Sequence, residues 1–156
     1  MKYAAATMVL LALLGAEALA QRGVMPLPPI QKRATPQAVV DEHLDAINTC
    51  DWTRLMAQYP PNVEFFSPNG VLTQGRGAVA ELFRNFVKPA TDGGLCGMKF
   101  TTIHQFVVGD TINVMWEATA PFLLEPYKGA DAYVTKDGLM FSQVTTFNAA
   151  DIKMKK

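Results

Sequence analysis

The chain has 156 residues, with 14 basic side chains against 14 acidic ones, and its formal net charge is zero. That length suits a single domain. The even balance excludes a nucleic-acid surface, which needs a basic stripe; the basic clusters lie only at the ends, as Arg22, Lys32 and Arg33 and as Lys153, Lys155 and Lys156.

The N-terminus reads as a unit apart. Lys2 opens it, Ala4–Leu14 is apolar, and Ala18-Leu19-Ala20 is a small-x-small cleavage pattern before Gln21. Residues 1–20 are therefore expected to be a secretory signal peptide. The apolar run is short for a bilayer span, and no Cys stands at the cleavage point to take a lipid. The mature chain is expected from about Gln21, in the periplasm or outside the cell, with no membrane contact after cleavage. Residues 21–35 carry Pro26, Pro28 and Pro29 without periodicity and read as a Pro-rich, extended, mobile linker. Its Pro-Leu-Pro-Pro also suits polyproline II docking on a partner.

Thr35-Pro36 is a helix start, a capping hydroxyl followed by a residue pre-set for the first helical position. The helix Pro36–Cys50 has an apolar stripe of Val40, His43, Leu44 and Ile47. His43 is the odd member. An unpartnered buried imidazole costs about 1–3 kcal/mol, so it needs a partner, whether as a hydrogen-bonded core residue or as part of a site. Asp51 caps a shorter helix through about Tyr59, which Pro60-Pro61 ends. Val63–Phe66 is a strand, Ser67-Pro68-Asn69-Gly70 a turn, and Val71-Leu72 a short return. Ala78–Lys88 is a third helix with Val79, Leu82, Phe83, Phe86 and Val87 inward. Arg76, between Gly75 and Gly77, reads as a helix-entry residue or an anion ligand.

The rest is strand. Met98–Val108 turns at Gly109-Asp110 into Thr111–Phe122, where Ile112, Val114, Trp116 and Ala118 alternate with polar residues; Glu117 faces the other way. Glu125–Gly129 connects to Ala130–Lys136, and Asp137-Gly138 is a strong hairpin signal before Leu139–Asn148. Residues 149–156 form a basic tail. Helices first and a meander last imply an α+β fold, with three N-terminal helices packed on a strongly curved, mainly antiparallel sheet. Such a cone has an apolar hollow, where a small ligand normally sits.

Cys50 and Cys96 permit one intramolecular pairing; in an oxidising compartment they are expected as a disulfide, with two buried free thiols as the alternative. No metal-ligand cluster, phosphate loop or nucleophile elbow is present, so neither metal nor cofactor is implied.

The helix order, Asp51-Trp52, Gly75-Arg76-Gly77-Ala78 and Gly129-Ala130-Asp131 leading to Asp137-Gly138 together resemble the SnoaL-like branch of the nuclear-transport-factor-2-like superfamily, relatives of ketosteroid isomerase. The resemblance covers about residues 36–148. It implies that His43 stands where the isomerases carry a first-helix tyrosine, and Asp131 where they carry a protonated aspartic acid. It implies that Ser67 replaces their general-base aspartate, which argues against steroid isomerisation by that mechanism. A His43–Asp131 pair would remain, with His43 as base and Asp131 as its orienter, or the two as a structural polar bridge. Tyr59, Phe65, Ser67, Phe83, Phe86, Trp116, Tyr133 and Phe147 would line the pocket. The function implied is binding of a small apolar molecule, with cofactor-free lyase or isomerase chemistry on it; a non-catalytic binding or protein-interaction module is the alternative. Relatives commonly dimerise through the outer sheet, which implies a homodimer.

Overall fold

The computed structural model describes residues 26–155; the expected signal peptide and residues 21–25 of the linker lie outside the described residues. Helix α1 (Pro36–Asn48) begins as its cap predicts, with the Thr35 hydroxyl accepting from the Ala38 N–H at 3.1 Å. Its buried stripe is Val39, Val40, His43, Ala46 and Ile47. The helix is stopped by Thr49 and by Cys50, which takes φ +58°. Helix α2 (Trp52–Ala57) is capped by Asp51, whose carboxylate accepts from the Arg54 N–H at 3.0 Å. Strands β1 (Glu64–Phe66) and β2 (Leu72–Gln74) flank the Ser67–Gly70 turn, and helix α3 (Arg76–Phe86) follows.

Strands β3 (Lys99–Val108), β4 (Thr111–Thr119), β5 (Tyr127–Lys136) and β6 (Leu139–Phe147) form the expected antiparallel meander. The whole sheet has the order β2-β1-β6-β5-β4-β3, with β1 parallel to β6 and every other pair antiparallel. The register slips between Thr102 and His104 and between Val134 and Thr135, bulges that bend and twist the strands around α1. Asp137 and Gly138 both have positive φ, 53° and 77°, as the tight hairpin turn requires.

The structure differs from the sequence reading at three segments. Glu125–Gly129 is not merely a connection: β5 begins at Tyr127, and Gly129 is within the ladder opposite Trp116. There glycine is required by space, since a Cβ would stand 2.3 Å from Trp116 Cζ2. The linker does not run free over residues 26–35. Gln31 N–H donates to Ala57 C=O and Arg33 N–H to Gly138 C=O, at 2.8 and 2.9 Å. Arg76 clamps it by donating to the carbonyls of Pro28 and Met56, at 2.6 and 2.7 Å, which is the helix-entry role rather than anion binding. The basic tail is mostly exposed but is tied to the fold. Leu123 and Met154 form a bridge, Leu124 N–H donates to Lys153 C=O, and Lys155 N–H donates to Phe122 C=O.

Cys50 and Cys96 are joined as a disulfide across 46 residues, tying the end of α1 to the loop before β3. Closing a loop of that length removes enough unfolded-state freedom for roughly 4 kcal/mol of stability. The Cys50→Ala/Cys96→Ala double variant is expected to lose about that much in urea unfolding, through a lower midpoint at nearly constant slope. A loss below about 1 kcal/mol would show that the cross-link does not constrain the unfolded chain.

Candidate functional site

The inner faces of α1, α3 and the curved sheet enclose a cavity of about 240 Å³. Its wall is chiefly apolar: Leu44, Ile47, Leu82, Phe83 and Phe86 from the helices, Phe65, Phe100, Trp116 and Phe147 from the sheet. Ile152 and Met154 of the tail also reach it, so the chain's last residues help close the mouth. Among the predicted pocket residues, Phe65, Ser67, Phe83, Phe86, Trp116, Tyr133 and Phe147 line the cavity together with His43 and Asp131. Tyr59 does not. It is fully buried behind His43, stacked on Phe83 at 5.7 Å between ring centroids.

His43 and Asp131 share the cavity but not a hydrogen bond. The imidazole Nδ1 meets the Tyr59 hydroxyl at 3.3 Å. Its ring is boxed in by Tyr59, Phe83 and Tyr133, with centroids at 6.2, 5.9 and 5.3 Å. No charged group is among its pKa determinants; burial alone pushes the pKa down from 6.5 to about 3. The expected role of Asp131 as direct orienter of His43 is therefore not what the geometry has, and the neutral imidazole is held by a phenol instead.

Asp131 takes the Tyr133 hydroxyl on Oδ2 at 2.6 Å. Burial raises its pKa, while Tyr133, then Trp116 and Thr145, pull it back down. Trp116 and Thr145 act from outside good hydrogen-bond geometry: Oδ1 of Asp131 and Nε1 of Trp116 both lack a partner within the protein. An unpaired donor and an unpaired acceptor at a cavity wall are unusual, because each costs about 1–3 kcal/mol. Gln143 and Thr145 complete the polar set. The Tyr59 hydroxyl donates to Gln143 Oε1 at 3.0 Å, and Gln143 Nε2 donates to Thr145 Oγ1 at 3.2 Å. So a continuous polar chain runs from His43 through Tyr59, Gln143 and Thr145 toward Asp131.

Gln143 and Thr145 are absent from the predicted pocket. A signal for them exists: they share a face of β6 with Phe147 at spacings of two. Tail residues Ile152 and Met154 carried no such signal, as no periodicity links them to the cone.

The family model for the SnoaL-like domain matches residues 40–152. The chain belongs to the SnoaL-like family. No curated protein sequence matches it. Among solved structures, it is similar to a nuclear-transport-factor-2-like protein of unknown function from Cytophaga hutchinsonii, at TM-score 0.61 and 15% identity over 78% of this chain and 96% of that one. It is also similar to the epoxide hydrolase/cyclase-like enzyme SalBIII of pyran-ring formation in salinomycin, at TM-score 0.63 and 18% identity over 77% and 95% of the two chains. A computationally designed 17-OHP binder is similar at TM-score 0.62 and 15% identity, over 80% and 99%. At these identities the likeness is one of fold: helices over an open, mainly antiparallel cone.

The buried imidazole sets a pH dependence of known sign. Its folded pKa, about 3, lies below the ordinary 6.5, so the unfolded chain binds the extra proton. The contribution is complete above pH 6.5 and is lost as pH falls toward 3. Between pH 7 and 4, stability is expected to drop about 3 kcal/mol more in the wild type than in His43→Gln. Equal slopes in the two unfolding series would contradict a buried neutral imidazole.

Proposed function

We propose that this chain is an exported SnoaL-like domain that binds a small, largely apolar molecule in its cone. The supporting observation is the cavity itself, about 240 Å³ with an apolar wall and a few convergent polar groups. For scale, a cavity of about 150 Å³ accepts benzene, so two fused rings are a suitable load here. A designed 17-OHP binder shares this fold, which accords with a small-molecule load. The signal-like N-terminus supports export, and a Cys50–Cys96 disulfide suits an oxidising compartment.

A second reading, cofactor-free acid–base turnover of the same ligand, is favoured by one observation. Asp131 is a buried carboxyl with an unpartnered Oδ1 at the cavity wall, and burial makes it a stronger base than an exposed aspartate. His43 suits that task less, because protonating it in this surrounding is costly. The likeness to the cyclase-like SalBIII accords with this reading. Ser67, at the position of the isomerases' base, lines the cavity without supplying a carboxylate.

Thermal shift and native mass spectrometry with uncharged two-ring and three-ring compounds test the binding reading. A ligand at a hundred times its Kd should add about 2.7 kcal/mol of stability. Leu82→Trp, which fills the cavity from α3, should abolish the effect while unfolding remains cooperative. Absence of any shift, with protein purified from its host carrying no ligand, would overturn it. For turnover, Asp131→Asn should keep binding and remove product formation; product formed at the wild-type rate would leave only the binding reading.

We also infer that two copies pair through the outer face of the sheet. Phe106 and Met115 are about half exposed there, beside Val144 and around a shallow groove. Met115→Glu should convert a dimer to a monomer in light scattering; a monomeric wild type would dismiss the pairing.

A further inference from the structure

The polarity of the hydrogen-bond chain behind the cavity follows from the Gln143 amide. Asp131 stands opposite Thr145 in the β5–β6 register. Thr145 Oγ1 accepts from Gln143 Nε2 at 3.2 Å. The Gln143 amide is thereby turned with Oε1 toward Tyr59, and the phenol donates to it at 3.0 Å. Burial keeps Tyr59 protonated, and its one proton is then used. The remaining contact, Tyr59 oxygen to His43 Nδ1 at 3.3 Å, has the imidazole N–H as its donor. Nδ1 carries the proton, and Nε2, without a partner among the described residues, is left with its lone pair.

We propose that Tyr59 and Gln143 lock His43 in the Nδ1–H form, so that Nε2 is a bare acceptor at the cavity wall and the site selects apolar molecules bearing a hydroxyl over those presenting only an ether or carbonyl oxygen. The ligand preference rests on the binding reading above; the locked tautomer does not. Tyr59 and Gln143 are positioning residues, acting on the ligand through the imidazole. The selectivity is the reverse of what a tyrosine at the His43 position would give, since a phenol donates where this imidazole accepts. A ligand hydroxyl gains a hydrogen bond to Nε2. An ether oxygen placed there faces a lone pair and is desolvated without recompense.

The tautomer is read directly from ¹⁵N-labelled protein at pH 7 without ligand. The chain has two histidines, so His104→Gln assigns the His43 signals. The expected pattern is a protonated Nδ1 and an unprotonated, far-downfield Nε2. Tyr59→Phe and Gln143→Leu should each shift the ring toward a mixture or the Nε2–H form. An Nε2–H imidazole in the wild type, the result of a reversed Gln143 amide, would overturn the proposal. So would a tautomer unmoved by both variants. The ligand arm compares 2-naphthol with 2-methoxynaphthalene by calorimetry. The hydroxyl compound should bind about tenfold tighter, and His43→Phe should erase the difference. Equal affinities in the wild type would overturn the selectivity. If neither probe binds, the binding reading and the selectivity fall together, while the ligand-free tautomer is decided separately.

Discussion

Two polar groups buried in one apolar hollow are the constraint around which this fold is arranged. An imidazole and a carboxyl group in a greasy cone each demand a partner, and the penalty for leaving them without one rivals the net stability of a small domain. The chain answers with tyrosines. Tyr59 meets His43 and Tyr133 meets Asp131, each through a hydroxyl on an otherwise apolar ring. The same side chains therefore pack the core and satisfy the site. A direct ion pair would have demanded full desolvation of both charges. Separate neutral phenols avoid that and leave His43 uncharged.

The shape of the hollow depends on where bulk is withheld as much as on where it is supplied. Gly129 leaves the space into which the Trp116 indole lies, and Trp116 in turn contacts Phe100, Tyr127 and Phe147 edge-on at 5.1 to 6.1 Å. That aromatic lattice stiffens the wall. Opposite it, α1 and α3 contribute apolar residues, Phe83 and Phe86 among them, at helical spacing. The polar chain runs between these two walls along β5 and β6, where side chains two apart share a face. Curvature, packing and the polar set are thus consequences of one alternation pattern.

Much of this was legible in the residues. Caps at Thr35 and Asp51, the turn at Asp137-Gly138 and the alternation in β4 are local, and local chemistry decides them. His43 announced itself because a polar side chain broke an apolar stripe. What escaped was whatever depends on contacts distant in sequence. Tyr59 was read as lining, yet it sits behind the wall, because it stands just past the end of α2, where helical spacing no longer fixes its direction. The Arg76 clamp on Pro28 joins residues 48 apart, which no short window can reveal. The direct His43–Asp131 pair came from homologous positions, and position alone does not say which way two side chains turn.

The strapped ends follow from the cost of keeping a hollow. An apolar hollow of about 240 Å³ forfeits contacts that a filled core would make. In a single small domain, helices and sheet alone have little surplus with which to cover that loss. The disulfide, at roughly 4 kcal/mol, works against that loss and is placed between α1 and the loop carrying Leu95 and Met98 of the wall. The tail covers the mouth through Leu123 and Met154, and the N-terminal strap braces the back of α2 through Ala57. Stability is thus concentrated at the rim, which lets the centre stay unfilled by the protein's own side chains. A fold that depended on a solid core would have no reason to carry three such fastenings around an enclosed space.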